Sequence, residues 1–104
     1  IEIINQKIGN PYFFIFGEFK NIDYLKQYLK KDRYKVFTDN TAIEDLYLMK
    51  LCRHFIISDS TFSWWGAWLS TSKNKIIIAP GYTDYKLERC WGFKGLIPEN
   101  WLVI

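Results

Sequence analysis

Hydroxyl groups crowd one short stretch of the chain. Ser58, Ser60, Thr61 and Ser63 fall within six positions, after the apolar run Phe55-Ile56-Ile57 and before Trp64-Trp65-Gly66-Ala67-Trp68-Leu69. Small hydroxyl side chains at the start of a helix add donors to backbone N–H groups that carry partial positive charge. That combination suits a phosphate group. The same residues also serve simply to cap a helix, for which one hydroxyl suffices. Both readings stand at this point, with the four hydroxyls exceeding what capping needs. The tryptophans offer a second chemistry, since aromatic faces stack on sugar rings. Spacing favours packing instead: Trp64 and Trp68 lie four apart on one helix, with Gly66 and Ala67 small enough for close approach, and are expected to pack against a sheet or a further domain.

The elements that must position these residues alternate along the chain. Gly9, Asn10 and Pro11 close an opening helical stretch, Ile1 to Ile8, and a first strand is predicted over Tyr12 to Phe16. A helix from Ile22 to Lys31 follows, with Asn21 as its cap, and a second strand over Tyr34 to Thr38. Asp39, Asn40 and Thr41 turn into a helix over Ala42 to Arg53 that places Leu46, Met49 and Cys52 on one face. Phe55 to Ser58 reads as a short buried strand, Phe62 to Ser70 as an apolar helix, Lys75 to Ala79 as a fourth strand and Trp101 to Ile104 as a fifth. Strands joined by helices of this length need parallel crossovers. The expected fold class is therefore α/β, with one doubly wound, mostly parallel sheet of at least four strands. In such sheets ligands sit at the C-terminal ends of strands, which is where Ser60 to Ser63 fall.

Composition narrows the function classes. The 104 residues are 49% hydrophobic and 24% charged, which makes one globular domain or a piece of one and excludes a disordered tail. The apolar runs are far shorter than the ~20 residues of a membrane helix. No basic-apolar leader opens the chain, so targeting is expected to lie outside it. The net charge of +3 comes from scattered lysines, not a basic stripe, and nucleic acid is not an expected partner. Cys52 and Cys90 form neither a metal quartet nor a Cys-x-x-Cys pair, and free thiols are expected. The first residues read as the middle or end of a helix without a cap, as in a fragment of a larger protein. Exposed apolar surface and self-association are expected if a partner domain is missing.

Lesser candidates each have a structural explanation. Asp45 near a helix start is accounted for by the helix dipole. Asp39 and Asn40 are turn residues at the functional end of a strand. His54 reads as a residue at a helix C-terminus before it reads as a base. Glu18 and Asp59 stand at two strand ends, and an acid/base pair would need them close in space.

The string Ser-Thr-Phe-Ser-Trp-Trp-Gly-Ala-Trp-Leu, residues 60 to 69, resembles the serine-rich motif of the glycosyltransferase family 11 fucosyltransferases, which make α-1,2-linked fucosides from GDP-fucose. Residues 44 to 54 look like the helix before that motif, and Ile76-Ile77-Ile78-Ala79-Pro80 and Ile97-Pro98-Glu99-Asn100-Trp101 look like the closing strand and terminal segment. Asn10 to Phe16 is similar to the strand before the family's middle motif. The sequence departs from the family at Gly17-Glu18-Phe19, where a Ser-Asp-Asp-like turn is usual, and at Asp59, where Asn is common. The family's His-x-Arg-Arg-Gly-Asp pattern is missing from the chain, whose arginines are Arg33, Arg53 and Arg89.

The resemblance implies an inverting, metal-independent transfer of L-fucose from GDP-fucose to a galactoside. It implies a Rossmann-like, GT-B-type enzyme of which residues 1 to 104 are part of the C-terminal, donor-binding half. Asp45 would contact the guanine, and Ser60, Thr61, Phe62 and Ser63 the donor nucleotide. No catalytic residue falls in these 104, the missing N-terminal part is a required partner, and the chain alone is expected to be inactive. A bacterial surface-polysaccharide role follows, in the cytoplasm or at the cytoplasmic face of the membrane. Two other classes compete: a noncatalytic sugar-binding module using Trp64, Trp65 and Trp68, and a receiver-like α/β module with Asp59 after the third strand. The receiver reading lacks an acidic pair after the first strand and a lysine after the fourth, where Pro80-Gly81 stands.

Overall fold

The computed structural model describes residues 1–17, 22–58, 60–81 and 97–104. These residues form two compact units, Ile1–Asp45 and Leu46–Ile104. In the first, helix α1 (Glu2–Ile8) buries Ile4 and ends at Gly9, whose φ of 88° lies in the left-handed region where a side chain would be strained. Strand β1 (Phe13–Phe16) then pairs in parallel with β2 (Tyr34–Phe37), Phe13 opposite Tyr34 and Phe16 opposite Phe37. Alternation puts Phe14, Phe16, Lys35 and Phe37 on one face. There Phe16 stacks on Phe37 at 5.0 Å, and the Lys35 ammonium sits 5.1 Å from the centre of the Phe37 ring.

Between these strands the helix predicted over Ile22 to Lys31 shrinks to α2 (Asp23–Lys26). The Gln27 side-chain amide donates to the Tyr24 carbonyl, the acceptor an α-helix would offer to Tyr28, and the Tyr28 N–H turns to Leu25 instead. A left-handed Asp32, φ 65°, completes the reversal into β2. The predicted cap, Asn21, lies outside the described residues.

Helix α3 (Ala42–Leu51) opens with a reciprocal cap. The Thr41 amide donates to Glu44 Oε1 at 3.1 Å, and the Glu44 amide to Thr41 Oγ1 at 3.2 Å. Hydrogen bonding to the carboxylate, first from the Thr41 amide and then from the Thr41 side chain, holds the Glu44 carboxyl below its usual pKa. The helix ends at Leu51, two residues before the predicted boundary. Of the expected face, Met49 is buried while Leu46 and Cys52 are half-buried; burial pushes the Cys52 thiol up.

In the second unit β3 (Phe55–Ile56), β4 (Ile77–Ala79) and β5 (Leu102–Val103) make a parallel sheet in that order. The Ile57 amide extends the β3 ladder to Ile78, and the Ile104 amide closes on Ala79. Central β4 is buried throughout, as a parallel strand covered on both faces must be. Helix α4 (Thr61–Leu69) connects β3 to β4 and buries Gly66 and Ala67.

One element of the expected architecture needs correction. The strands form two parallel sheets, β1-β2 and β3-β4-β5, where a single sheet of four or more was expected. Periodicity fixes the direction of pairing through the crossover helices, but it does not say which edges meet, and here β3 is only two residues long and ladders to β4. Among the described residues, no helix is long and apolar enough to cross a membrane.

Candidate functional site

The hydroxyl-rich turn follows the C-terminal end of β3, as the sequence led us to expect. Ser60 is the N-cap of α4 with extended backbone angles, φ −106° and ψ 133°, and its hydroxyl makes no capping bond. Its carbonyl accepts the first helical bond, from the Trp64 amide at 3.1 Å. The amides of Thr61, Phe62 and Ser63 precede that bond, so they have no acceptor within the helix. Thr61 and Phe62 are exposed and Ser60 and Ser63 half-buried.

Ser63 behaves differently from its neighbours. Its Oγ lies 2.9 Å from the Ser60 carbonyl, 3.2 Å from the Ser58 carbonyl and 3.4 Å from Ser58 Oγ. A hydroxyl has one proton to give, and here protein carbonyls take it. Ser63 therefore ties the end of β3 to the first turn of α4, a bond that the Ser60 hydroxyl, which makes no capping contact, does not duplicate. Asp59 lies outside the described residues, as do Glu18, Arg89 and Cys90.

Asp45 belongs to the first unit. Its amide completes a helical bond to the Thr41 carbonyl at 3.0 Å. Its Oδ1 is shut off from solvent and has no hydrogen-bond partner among the described residues. An orphaned carboxylate oxygen is costly. Asp39 and Asn40 occupy the turn after β2, as predicted.

The tryptophans divide. Trp64 stacks on Trp68 with ring centres 5.3 Å apart and planes 11° apart, meets Trp65 edge-on at 5.0 Å, and tilts against the buried Trp101 at 5.7 Å. Trp64 thus packs against the segment that enters β5, as expected. Trp68 does not lie in the core: one ring face rests on Trp64 and the side chain is 49% exposed, like Trp65.

The far end of α4 carries supports that the sequence did not announce. Lys75, predicted as the first residue of a strand, instead turns its ammonium back onto the helix. Its Nζ donates to the carbonyls of Ala67 at 2.9 Å, Trp68 at 3.3 Å and Ser70 at 2.9 Å. These are orphan acceptors of a helix C-terminus, where a cation also meets the dipole favourably. Ser70, buried, donates from Oγ to the Cys52 carbonyl at 3.0 Å, tying the end of α4 to the end of α3. The reciprocal cap of α3 has a local signature that the sequence analysis did not use, Thr-x-x-Glu at residues 41 to 44; the Lys75 cage has no comparable one.

The chain is 35% identical over 109 aligned positions to an Alpha-1,2-colitosyltransferase of Escherichia coli, an alignment covering 100% of this chain and 36% of that protein. It is 53% identical over 36 residues to the O-antigen biosynthesis glycosyltransferase WbnK of Escherichia coli, over 35% of this chain and 12% of that protein. The chain thus spans about a third of the length of the first relative and an eighth of the second is matched. No solved structure is significantly similar to it. The family model described as Glycosyl transferase family 11 matches residues 1–103, nearly end to end, and the chain belongs to that family.

Proposed function

We propose that this chain is the C-terminal, donor-binding part of a GT-B-type α-1,2-fucosyltransferase that moves L-fucose from GDP-fucose to a galactoside in surface-polysaccharide synthesis. The observation that carries the reading is the start of α4, where the Ser60 and Thr61 hydroxyls and three amides without an acceptor in the helix follow a parallel strand. The acceptor hydroxyl attacks the anomeric carbon and gives up its proton to a base assigned to a part of the enzyme beyond these residues; a C–O bond forms on one face as the bond to the donor phosphate breaks on the other, and configuration inverts. Negative charge grows on the departing diphosphate. Preorganised donors at a helix N-terminus stabilise that charge more than they stabilise the intact donor. The orphaned Asp45 Oδ1 fits the guanine N–H groups as acceptor.

Metal-independent chemistry is part of the proposal: the remaining positive charge is assigned to an arginine motif in a part of the enzyme beyond these residues. The setting is the cytoplasm or cytoplasmic membrane face of a bacterium. The colitosyl relative, at 35% identity, favours a second donor, a nucleotide-activated colitose, which is a sugar related to fucose.

Calorimetry on the complete enzyme tests the phosphate assignment. Thr61→Ala and Ser60→Ala are each expected to lose about 1 to 3 kcal/mol of GDP affinity, the range for a hydrogen bond to a charged group, with guanosine binding unchanged. Parent-like GDP binding by both variants would reduce these hydroxyls to surface residues of a capped helix. Assaying transfer from GDP-fucose and from activated colitose decides the sugar. Residues 1 to 104 alone should transfer neither.

A further inference from the structure

His54 stands between α3 and β3, half-buried, with its Nδ1 3.0 Å from the amide nitrogen of Ile76. An amide can only donate, so Nδ1 is the acceptor and the ring is the neutral Nε2–H tautomer. The carbonyl of the same Ile76 accepts the Phe55 amide at 2.8 Å. These two bonds start the β3–β4 ladder, one residue ahead of the Phe55–Ile77 pair. Every later rung of β3, and the turn into α4, is continuous with them.

The surroundings oppose a charge on the ring. Burial lowers the His54 pKa from its usual 6.5, and the neighbouring Arg53 cation lowers it further. On the β4 side the Lys75 ammonium is turned onto the α4 carbonyls and not onto the ring. The preceding Cys52 thiol stays neutral, its pKa raised by burial. Among the described residues the one salt bridge joins Lys26 to Asp23, so no carboxylate is paired with His54. Protonation would place an N–H at Nδ1 directly against the Ile76 N–H, replacing attraction with repulsion.

We propose that His54 is an acid-sensitive latch on the β3–β4 ladder, closed by the neutral ring and opened by its protonation. Between the lowered folded pKa and the unfolded value, the unfolded chain binds more protons, so stability rises with pH there. The latch is fully closed above the usual 6.5 and is lost as pH falls through the folded value.

Long-range proton–nitrogen NMR of the complete protein reads this directly. We expect the Nε2–H tautomer at neutral pH and a titration midpoint below 6.5. The protection factor of the Ile76 amide should fall roughly tenfold as the ring protonates, in line with loss of one hydrogen bond. The Ile104 amide, bonded to Ala79 across the other side of β4, should keep its protection. His54→Asn offers an oxygen at the same distance along the side chain and does not titrate, so its Ile76 protection should be flat across the same range. An Nδ1–H tautomer, a midpoint at or above 6.5, Ile76 protection indifferent to ring protonation, or a parent-like acid profile in His54→Asn would each overturn the latch. Should the variant fail to fold, the parent's tautomer, midpoint and amide protection decide alone.

Discussion

Truncating Ile77 to alanine is expected to remove about 2 to 5 kcal/mol of stability, enough to unfold much of the second unit. Ile77 is 2% exposed on the central strand β4, paired opposite Phe55 and followed by the equally buried Ile78 and Ala79. Close packing on both faces leaves the neighbours little room to collapse into the gap, so the cost combines lost apolar transfer with the cavity. Ile56→Ala serves as the control, because that side chain on the adjoining strand is 47% exposed and should cost well under half as much. Denaturant titration of both variants settles the comparison. Equal losses would mean that β4 is not the centre of the core.

Gly66→Ala is expected to destabilise the protein by about 1 to 3 kcal/mol despite alanine's better helix propensity, worth up to ~1 kcal/mol in the opposite direction. A β-carbon at Gly66 would collide with the Met49 terminal methyl, and would also lie 3.2 Å from Met49 Cβ and 3.3 Å from Sδ. The methyl can swing away; the β-carbon is fixed by α3 itself. Glycine is therefore required here by the approach of α3 to α4 and not by its backbone angles. Met49→Ala, made alone, opens a cavity in that contact, and the double variant should be more stable than the sum of the two losses predicts. Strict additivity in thermal or denaturant unfolding would show that the two residues do not share the contact.

Much of this was legible in the sequence because it depends on neighbours along the chain. The alternation of apolar runs and helical stretches placed β1 to β5 and α3 and α4 within a few residues of their observed bounds. Gly9 and Pro11 ended α1, and Gly66-Ala67 marked a close contact before its partner was known. The turn at Ser60 to Ser63 sits after a parallel strand, as predicted. What could not be read depends on contacts across space. Gln27 shortens α2 by taking a carbonyl that periodicity assigns to the helix. The division into two sheets depends on which strand edges meet. Ser63 looked equivalent to Ser60 and Thr61, yet its proton belongs to the turn, a distinction made by distances to Ser58 and Ser60 that composition does not contain. Spacing treats Trp64 and Trp68 alike, yet Trp64 is half-buried against Trp101 while Trp68 is 49% exposed.

The cage around Lys75 limits substitution at that position in a way that charge alone would not suggest. Three carbonyl oxygens converge on one nitrogen, a demand matched by the three N–H bonds of an ammonium radiating from a point. Arginine carries the same charge but spreads its donors over a flat fork, shaped for two parallel acceptors such as a carboxylate. At this site the guanidinium would engage one edge of the helix end and leave another carbonyl unanswered. The exchange usually regarded as mildest for a lysine is thus a change of geometry here. The connection from α4 into β4 selects its cation by shape as well as by sign.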